Sequence, residues 1–198
     1  LHLEAGVEEV VDAEVLRDLG LWSSGLLDPA MGGEGVKPYQ PSGMWAAMAH
    51  PASNTKQYVA DTGERLYRRS LYVYWKRTSP HPMMTLFDAP DRESACVRRS
   101  RTSTPLQSLG LFNETQRIEM ARELSERLLR EQSRDDERLE ALFTMLACRP
   151  PSELERRACD GLLREMRHRY AADTAAAEGL LAVGEASRDP SLLAAEVA

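Results

Sequence analysis

The sequence predicts a mainly α-helical protein in which packed helices support a long irregular segment at about residues 79–104. Three observations favour this class. Apolar residues recur at helical spacing near the start of the chain and through its last ninety or so residues. Helix-start signals, such as Ser152 with Glu155, directly precede some of these runs. Residues 79–104, in contrast, hold three prolines and no sustained period.

Length and composition predict one folded domain. The chain has 198 residues, 42% of them hydrophobic, and a net charge of -6, which suits a single domain over residues 1–198. No apolar run is long enough to span a membrane. Because the chain begins with Leu1 and not Met, we expect it to be a fragment of a larger multidomain protein. Its regions are a helix and Gly/Pro loop region (1–60), an Arg-rich segment (61–112) and a helical region (113–198).

The first region predicts two helices joined by a loop. Asp12 occupies an N-cap position before apolar residues at helical spacing, so a helix is expected to end near Asp28. Its predicted apolar face consists of Val15, Leu16, Leu19, Trp22 and Leu26. The glycines and prolines of residues 29–41 predict a loop that is either functional or firmly packed. Ser42 is expected to cap a short helix with Met44, Trp45 and Met48, ending at His50–Pro51.

The next segment is ambiguous. Residues 67–78 fit one face of a helix, yet the aromatic and β-branched residues at 71–75 also fit a strand. We favour the helix.

The last region predicts several helices. Asn113 with Gln116 resembles a capping box, followed by a helix with Ile118, Ala121, Leu124 and Leu128 on its apolar face. A second helix carries Leu139, Leu142, Phe143 and Leu146 and ends at Arg149. Ser152 and Glu155 open a long helix with Leu154, Ala158, Leu162, Leu163 and Met166 inward. Further helices are expected at about 174–183 and 190–197.

The net charge conceals an uneven distribution. Residues 1–59 carry -5, residues 60–107 carry +4 and residues 108–198 carry -5. Arginine supplies nearly all the bases of the middle third, and its planar fork suits carboxylate or phosphate groups. The basic stretch is short and interrupted by acids, so we expect no nucleic-acid partner.

Cysteine and histidine spacing excludes several kinds of site. Cys96, Cys148 and Cys159 show no C-x-x-C or haem-attachment spacing, which disfavours structural zinc and excludes covalent haem in these residues. We expect separately buried thiols, although Cys148 and Cys159 are placed to bridge a helix hairpin in an oxidising compartment. The four histidines lack the spacing of a zinc protease. No metal site and no cofactor are predicted within this chain.

The densest group of polar side chains lies between Trp75 and Asn113. Three carboxylates within six residues are compatible with a hard cation or with acid and base roles on a sugar. The favoured alternative is an internal network in which these acids pair with Arg92, Arg98 and Arg99 and hold the irregular segment. The candidates for the network or for ligand binding are His81, Asp88, Asp91, Arg92, Glu93, Arg98, Arg99, Thr104, Gln107 and Asn113. No catalytic residue is assigned.

Four aromatic residues near this group invite two interpretations. Trp45, Tyr72, Tyr74 and Trp75 offer faces on which a sugar ring stacks, but aromatics at such spacing are more often core residues, which we favour.

The same stretch carries a family resemblance. Its strings Tyr74-Trp75-Lys76-Arg77-Thr78, Phe87-Asp88-Ala89-Pro90-Asp91-Arg92-Glu93 and Thr102-Ser103-Thr104-Pro105-Leu106-Gln107 closely resemble the planctomycete family named domain of unknown function fifteen fifty-three (DUF1553). Upstream Asp12-Ala13-Glu14 and downstream Arg149-Pro150-Pro151 are similar to it as well. The resemblance implies an exported, extracytoplasmic protein with companion domains, often a cytochrome-c-like module, and a link to polysaccharide use. Any haem is then expected in missing N-terminal modules. The resemblance transfers no catalytic residue.

Three functions remain open at this stage. The first is a non-catalytic binding or scaffold portion of an exported multidomain protein, with a possible saccharide ligand. The second is a carbohydrate-active enzyme in which Asp88, Asp91 or Glu93 supply acid and base and His81 or an arginine orients the substrate. The third is an accessory that docks a cytochrome-c module through the arginines.

Overall fold

The computed structural model of the chain describes residues 11–50 and 52–198. Within these residues the protein consists of α-helices, two 3-10 helices and irregular chain, without a β-strand, which confirms the predicted mainly α-helical class. The α-helices are α1 (Ala13–Ser24), α2 (Met44–Met48), α3 (Pro82–Leu86), α4 (Pro105–Asn113), α5 (Thr115–Glu131), α6 (Asp135–Ala147), α7 (Glu153–Ala172), α8 (Thr174–Leu181) and α9 (Ala194–Val197). The 3-10 helices are Gly63–Tyr67 and Ser70–Tyr72. As expected, none of the described helices has both the length and the apolar character that a bilayer crossing requires.

Helix α1 buries a different face from the predicted one. It begins after Asp12 as expected but ends earlier, at Gly25, whose φ of 80° is a left-handed conformation that suits glycine. Arg17 is buried on this helix, whereas Val15 and Trp22 are just over half exposed. The predicted apolar face is therefore wrong at those two positions, because the helix turns an arginine toward the interior.

The guanidinium of Arg17 joins α1 to the chain around the 3-10 helices. Its Nε donates to Gln116 Oε1 at 2.7 Å, its Nη2 donates to the carbonyl oxygen of Leu66 at 2.8 Å, and its Nη1 donates to that of Arg68 at 2.8 Å. Burial lowers the pKa of Arg17 to about 10, so the side chain stays protonated at neutral pH. The protonated guanidinium supplies hydrogen-bond donors for buried carbonyls that lie outside any α-helix.

The loop between α1 and α2 is packed onto the body by Arg68. Its guanidinium donates to the carbonyl oxygens of Ala30 at 3.0 Å, Gly32 at 2.6 Å and Glu34 at 3.1 Å. Three backbone acceptors in one guanidinium fork fix the course of the loop. The loop is thus firmly packed, which was one of the two predicted alternatives.

The helix favoured over residues 67–78 is wrong. After the second 3-10 helix the chain is extended and bonds to the loop: Val36 N donates to the Tyr72 carbonyl at 2.7 Å, and Tyr74 N donates to the Val36 carbonyl at 2.8 Å. These groups are therefore unavailable for helical bonds. The contact is an isolated parallel bridge between Val36 and Val73, so the competing strand interpretation was closer.

Helix α2 is short and begins at a different cap from the predicted one. Gly43, with φ at 82°, precedes its first residue, and no side chain caps it. Ser42 is thus not the cap. Trp45 is buried as expected, but Met48 is exposed. Pro51, at the predicted end, lies outside the described residues.

Two helices stand where one was predicted to start at Asn113. Helix α4 ends at Asn113, and Glu114 caps α5 by accepting a hydrogen bond from Arg117 N at 2.8 Å. The predicted capping box of Asn113 with Gln116 is therefore wrong. Gln116 is buried and donates through Nε2 to the carbonyl of Leu66 at 2.9 Å.

The buried face of α5 is largely polar. Leu124 and Leu128 are buried as predicted, but Ile118 is half-buried and Ala121 is exposed. The buried residues of this helix are Gln116, Glu119, Met120, Arg122, Leu124, Glu126 and Leu128. The periodicity identified the helix correctly but not the polar side chains that it turns inward.

Glu119 attaches a non-helical strap, residues 183–193, to α5. This carboxylate is fully buried, and its Oε1 accepts hydrogen bonds from the backbone amides of Glu185 at 2.6 Å and Ala186 at 2.7 Å. The strap approaches so closely that a Cβ on Gly184 would lie 2.4 Å from the Glu119 carboxyl carbon. Only glycine fits there.

The same oxygen of Glu119 also accepts from two tyrosines. The Tyr67 hydroxyl donates at 2.8 Å and the Tyr39 hydroxyl at 3.4 Å. Burial and then the nearby carboxylate raise the pKa of Tyr39 to about 12, and the same two causes raise that of Tyr67. Both hydroxyls therefore keep their protons and act as donors to Glu119.

Two further side chains of α5 continue the attachment of the strap. Arg122 Nη2 donates to the carbonyl of Ala186 at 2.7 Å, and Glu126 Oε2 accepts from Asp189 N at 3.1 Å. Successive turns of one helix thus pair with successive backbone groups of the strap.

The C-terminal helices follow the prediction in part. The capping box of α7 is confirmed, with Glu155 N donating to Ser152 Oγ at 3.3 Å and Ser152 N donating to Glu155 Oε2 at 2.8 Å. Leu154 and Leu162, predicted to face inward, are 78% and 58% exposed. The helix predicted over 190–197 is reduced to α9, because the strap occupies its first half.

The three cysteines are free thiols. Cys96 and Cys148 are exposed, so their predicted burial is wrong. Cys159 is half-buried and forms no bridge with Cys148.

We predict opposite effects for two glycine-to-alanine substitutions. Gly184→Ala forces a Cβ against Glu119 at a φ of +93° and should lower the free energy of unfolding by about 2 kcal/mol or more. Gly161→Ala, in α7 with no atom within 4 Å of the new Cβ, should raise it by roughly 0.5–1 kcal/mol. Urea unfolding of both variants measures the difference, and equal effects would contradict the account of the strap.

Candidate functional site

Asp88 is the centre of the contacts that hold the signature segment, residues 75–113. Its Oδ2 accepts from the backbone N and the Oγ1 of Thr102, both at 2.7 Å. The backbone at Asp88 has φ at 59°, a left-handed conformation that aspartate tolerates better than most residues. Gln107 extends the cluster, because its Nε2 donates to Thr102 Oγ1 at 3.2 Å and to the Leu86 carbonyl at 3.0 Å. The cluster joins the two ends of the stretch 88–102.

Two predicted site residues, Thr104 and Gln107, begin helix α4. Gln107 N donates to Thr104 Oγ1 at 3.3 Å, and Thr104 N donates to Gln107 Oε1 at 2.7 Å, which is a complete capping box with Pro105 at the first helical position. Sequence reasoning missed this helix. The signal was present, since a Thr-Pro-x-Gln string is typical of a helix start.

The other two carboxylates of the segment have partners of their own. Asp91 Oδ1 accepts from the backbone amides of Glu93 at 2.9 Å and Ser94 at 3.4 Å. Glu93 Oε1 accepts from Arg77 Nε at 3.1 Å on the surface. Asp88, Asp91 and Glu93 therefore serve three separate local contacts.

The predicted ion pairs of these acids with Arg92, Arg98 and Arg99 do not form among the described residues. The Arg92 guanidinium lies over the Trp75 ring, 4.9 Å from its centre, and Arg98 is exposed. Arg99 pairs with Glu14 instead. The segment is thus held by separate local contacts, in which backbone amides bind Asp88 and Asp91 and Arg77 binds Glu93.

The four aromatics considered for sugar stacking each have a cation over one face. Distances from the cation to the ring centre are 4.3 Å for Lys76 on Trp45, 4.0 Å for Arg68 on Tyr72, 5.7 Å for Lys37 on Tyr74 and 4.9 Å for Arg92 on Trp75. Trp45 also packs edge-on against Tyr58, with ring centres 4.9 Å apart. The rings therefore act mainly in cation–π and packing contacts. The predicted core position is confirmed for Trp45 but wrong for Tyr74, which is exposed, and Tyr72 and Trp75 are half-buried.

His81 lies apart from the carboxylates, in the interior. Its Nε2 donates to the Tyr39 carbonyl at 2.9 Å, which leaves Nδ1 unprotonated in a cavity of about 10 Å³ lined in part by Arg17 and Glu114. Burial lowers the pKa of His81, the hydrogen bond to the Tyr39 carbonyl opposes this decrease in part, and the charge of Arg17 adds to it, so that the pKa is about 4. Neutral at physiological pH, His81 positions the backbone of the loop before α2.

Asn113, the last predicted site residue, ends α4 at the surface. Its Nδ2 donates to the Leu109 carbonyl at 2.8 Å. It contacts neither Asp88 nor the arginines in the described structure, so its role is local.

An arginine groove opens beside the signature segment. It measures about 720 Å³, and the described residues that line it are Asp12, Arg98, Arg99, Ser100 and Arg101. Arg99 forms a fork with Glu14, with Nη1 to Oε2 at 2.7 Å and Nη2 to Oε1 at 3.2 Å. Asp12 lies 3.5 Å from Arg99 and 3.7 Å from Arg101. The groove thus brings together three guanidiniums on irregular chain, of which Arg99 is held by its fork with Glu14.

The fork between Arg99 and Glu14 shifts both groups toward their charged forms. Its hydrogen bond to Glu14 raises the pKa of Arg99. Burial raises the pKa of Glu14, but the hydrogen bonds and the charge of Arg99 outweigh this and leave it below its usual value. Sequence reasoning gave no role to Glu14, although Asp12-Ala13-Glu14 was among the residues of the family resemblance. Contacts across 85 positions leave no local signal.

No group of three or more histidine, cysteine, aspartate or glutamate side chains in residues 11–50 and 52–198 is arranged to hold a metal ion.

Comparison with family models places the chain beside a known family. The model of a family described as PSD1, protein of unknown function (DUF1553), matches residues 2–163, which confirms the family resemblance of the sequence. The comparisons with curated proteins and with solved structures gave no match.

We predict that His81 makes stability depend on pH. Because its folded pKa of about 4 lies below the ordinary histidine value of 6.5, the unfolded chain takes up the proton first as pH falls. Stability is complete above pH 6.5 and decreases toward pH 4, by up to about 3 kcal/mol from this group. Urea unfolding at two pH values within this window should show a smaller decrease for His81→Gln than for the wild type. An equal decrease in both proteins would contradict the assignment.

Proposed function

The chain belongs to the PSD1 family of unknown function, DUF1553, and we propose that it is a non-catalytic binding or scaffold portion of an exported multidomain protein. The observation that carries this proposal is the use of Asp88, Asp91 and Glu93 as structural partners. Each is bonded to backbone amides, to a hydroxyl or to an arginine. A general acid or base must be positioned at the substrate with its proton site, whereas each of these three carboxylates uses one oxygen in a separate structural contact.

The shape of the signature segment supports a binding role. Residues 91–106 are exposed almost throughout, and Val97 is 99% exposed. Yet the segment is held at Asp88, at Trp75, whose Nε1 donates to the Asp91 carbonyl at 3.2 Å, and at Glu14. Irregular chain that is both exposed and fixed by directed contacts presents a preformed surface.

Two further parts of the proposal rest on the family resemblance. We place the protein outside the cytoplasm, beside companion domains of the same longer chain, and link it to polysaccharide use. A haem in a companion module is part of this proposal, and no cofactor is proposed for the present chain. The segment 91–106 is then the surface turned toward companion domains or a saccharide.

The proposal is tested by incubating the full-length protein with a panel of neutral and acidic polysaccharides and measuring the release of reducing ends. We expect no release above the blank, because the three carboxylates of the signature segment serve separate structural contacts. Release of reducing ends that disappears in Glu93→Gln, with the fold intact by circular dichroism, would contradict the proposal.

A matched variant controls for loss of a surface ion pair. Glu153 pairs with Arg157 at 3.2 Å on α7, as Glu93 pairs with Arg77 at 3.1 Å, and both pairs are exposed. Glu153→Gln and Glu93→Gln should each change the free energy of unfolding by less than about 0.5 kcal/mol. A selective effect of Glu93→Gln on turnover would then be chemical and not structural.

A further inference from the structure

We propose that the arginine groove binds carboxylate-bearing polysaccharide, with Arg98 and Arg101 as the side chains that take the ligand's carboxylates. This inference rests on the proposed binding function and names its ligand. Arg98 and Arg101 are exposed, while Arg99 between them is half-buried and held by Glu14.

The charge of the groove selects an anion. The groove and its fork contain three arginines and two acids, so these five side chains carry one net positive charge: Arg98, Arg99, Arg101, Asp12 and Glu14. The two acids hold Arg99 most tightly, whereas Arg101 is 3.7 Å from Asp12 and its side chain is 53% exposed. The exposed guanidiniums keep N–H donors that point to solvent, and such forks match carboxylates in two-point contacts.

The fork between Arg99 and Glu14 shows the recognition chemistry within the protein. Two parallel N–H···O bonds at 2.7 and 3.2 Å are the geometry that a ligand carboxylate would repeat on the neighbouring arginines. Thr102, the residue after Arg101, is fixed by two hydrogen bonds to Asp88. The backbone beside Arg101 is therefore held in place before the ligand arrives, which lowers the backbone part of the entropic cost of binding.

The lining favours an acidic saccharide over an acidic peptide. No apolar side chain is among the described residues that line the groove, so a peptide finds no pocket for an aliphatic or aromatic anchor. Guanidinium, hydroxyl and carboxylate groups match a chain of sugar hydroxyls and carboxylates. The volume of the groove, about 720 Å³, is sufficient for more than one sugar residue.

Isothermal titration calorimetry of the full-length protein tests the inference. It measures the affinity for polygalacturonate, dextran and poly-L-glutamate. We expect the protein to bind polygalacturonate but not neutral dextran, and to bind more weakly as salt rises from about 50 mM to about 200 mM. Arg98→Ala combined with Arg101→Ala should weaken binding by about tenfold or more. Equal affinity for poly-L-glutamate would overturn the saccharide assignment in favour of an acidic protein partner.

The matched control removes the same charge elsewhere. Arg157→Ala combined with Arg164→Ala, both exposed on α7, also deletes two arginines, one of them ion-paired, and should change the affinity by less than about twofold. Equal weakening by both double variants would overturn the site, since net charge alone would explain it. Both double variants should unfold within roughly 2 °C of the wild type.

The two proposals fail in different ways. No binding of polygalacturonate to a protein that also releases no reducing ends would overturn the groove site and leave the non-catalytic function intact. Binding followed by cleavage of the polymer would overturn the non-catalytic function and leave the groove as the binding site.

Discussion

The buried carboxylate of Glu119 is the constraint on which the rest of this structure depends. One oxygen of this side chain accepts from two tyrosine hydroxyls of the N-terminal half and from two backbone amides of the strap after α8. A buried charge is tolerated only when hydrogen bonds replace its hydration. The four donors replace the hydration of Oε1, and through them Glu119 joins segments that are distant in sequence to one position on α5.

Charged side chains bind backbone groups at several places, because much of the described chain is neither helix nor sheet. Irregular backbone that is packed against a core must find partners for its amides and carbonyls. Arg17 and Arg68 donate to carbonyls of the N-terminal half, and Asp88 accepts from Thr102 in the signature segment. Buried or anchored charged side chains thus supply the hydrogen-bond partners that neighbouring strands supply to the backbone in a sheet. The apolar core is correspondingly small, with Leu21 and Leu66 among its fully buried members.

Sequence patterns predicted the features that depend on neighbours along the chain. The helical class, the capping box of Ser152 with Glu155 and the irregular course around residue 90 all follow from local propensity. The same patterns did not reveal that Gln116 and Glu119 face inward, since a polar residue on an amphipathic helix is usually exposed. Nor did they reveal the pairing of Glu14 with Arg99, which depends on contact between distant segments. For the candidate site, sequence reasoning grouped residues that the structure separates, such as His81 and Asn113, and it assigned the acids to the wrong partners.

Hydrogen exchange at the backbone amides of Glu185 and Ala186 tests this account most directly. Both amides lie in non-helical chain, and in an ordinary surface loop they would exchange within seconds or faster. If the buried Glu119 carboxylate holds the strap, they should exchange as slowly as the central amides of α5, through unfolding of the whole domain. Rapid exchange of both amides in a protein whose α5 amides remain protected would contradict the account.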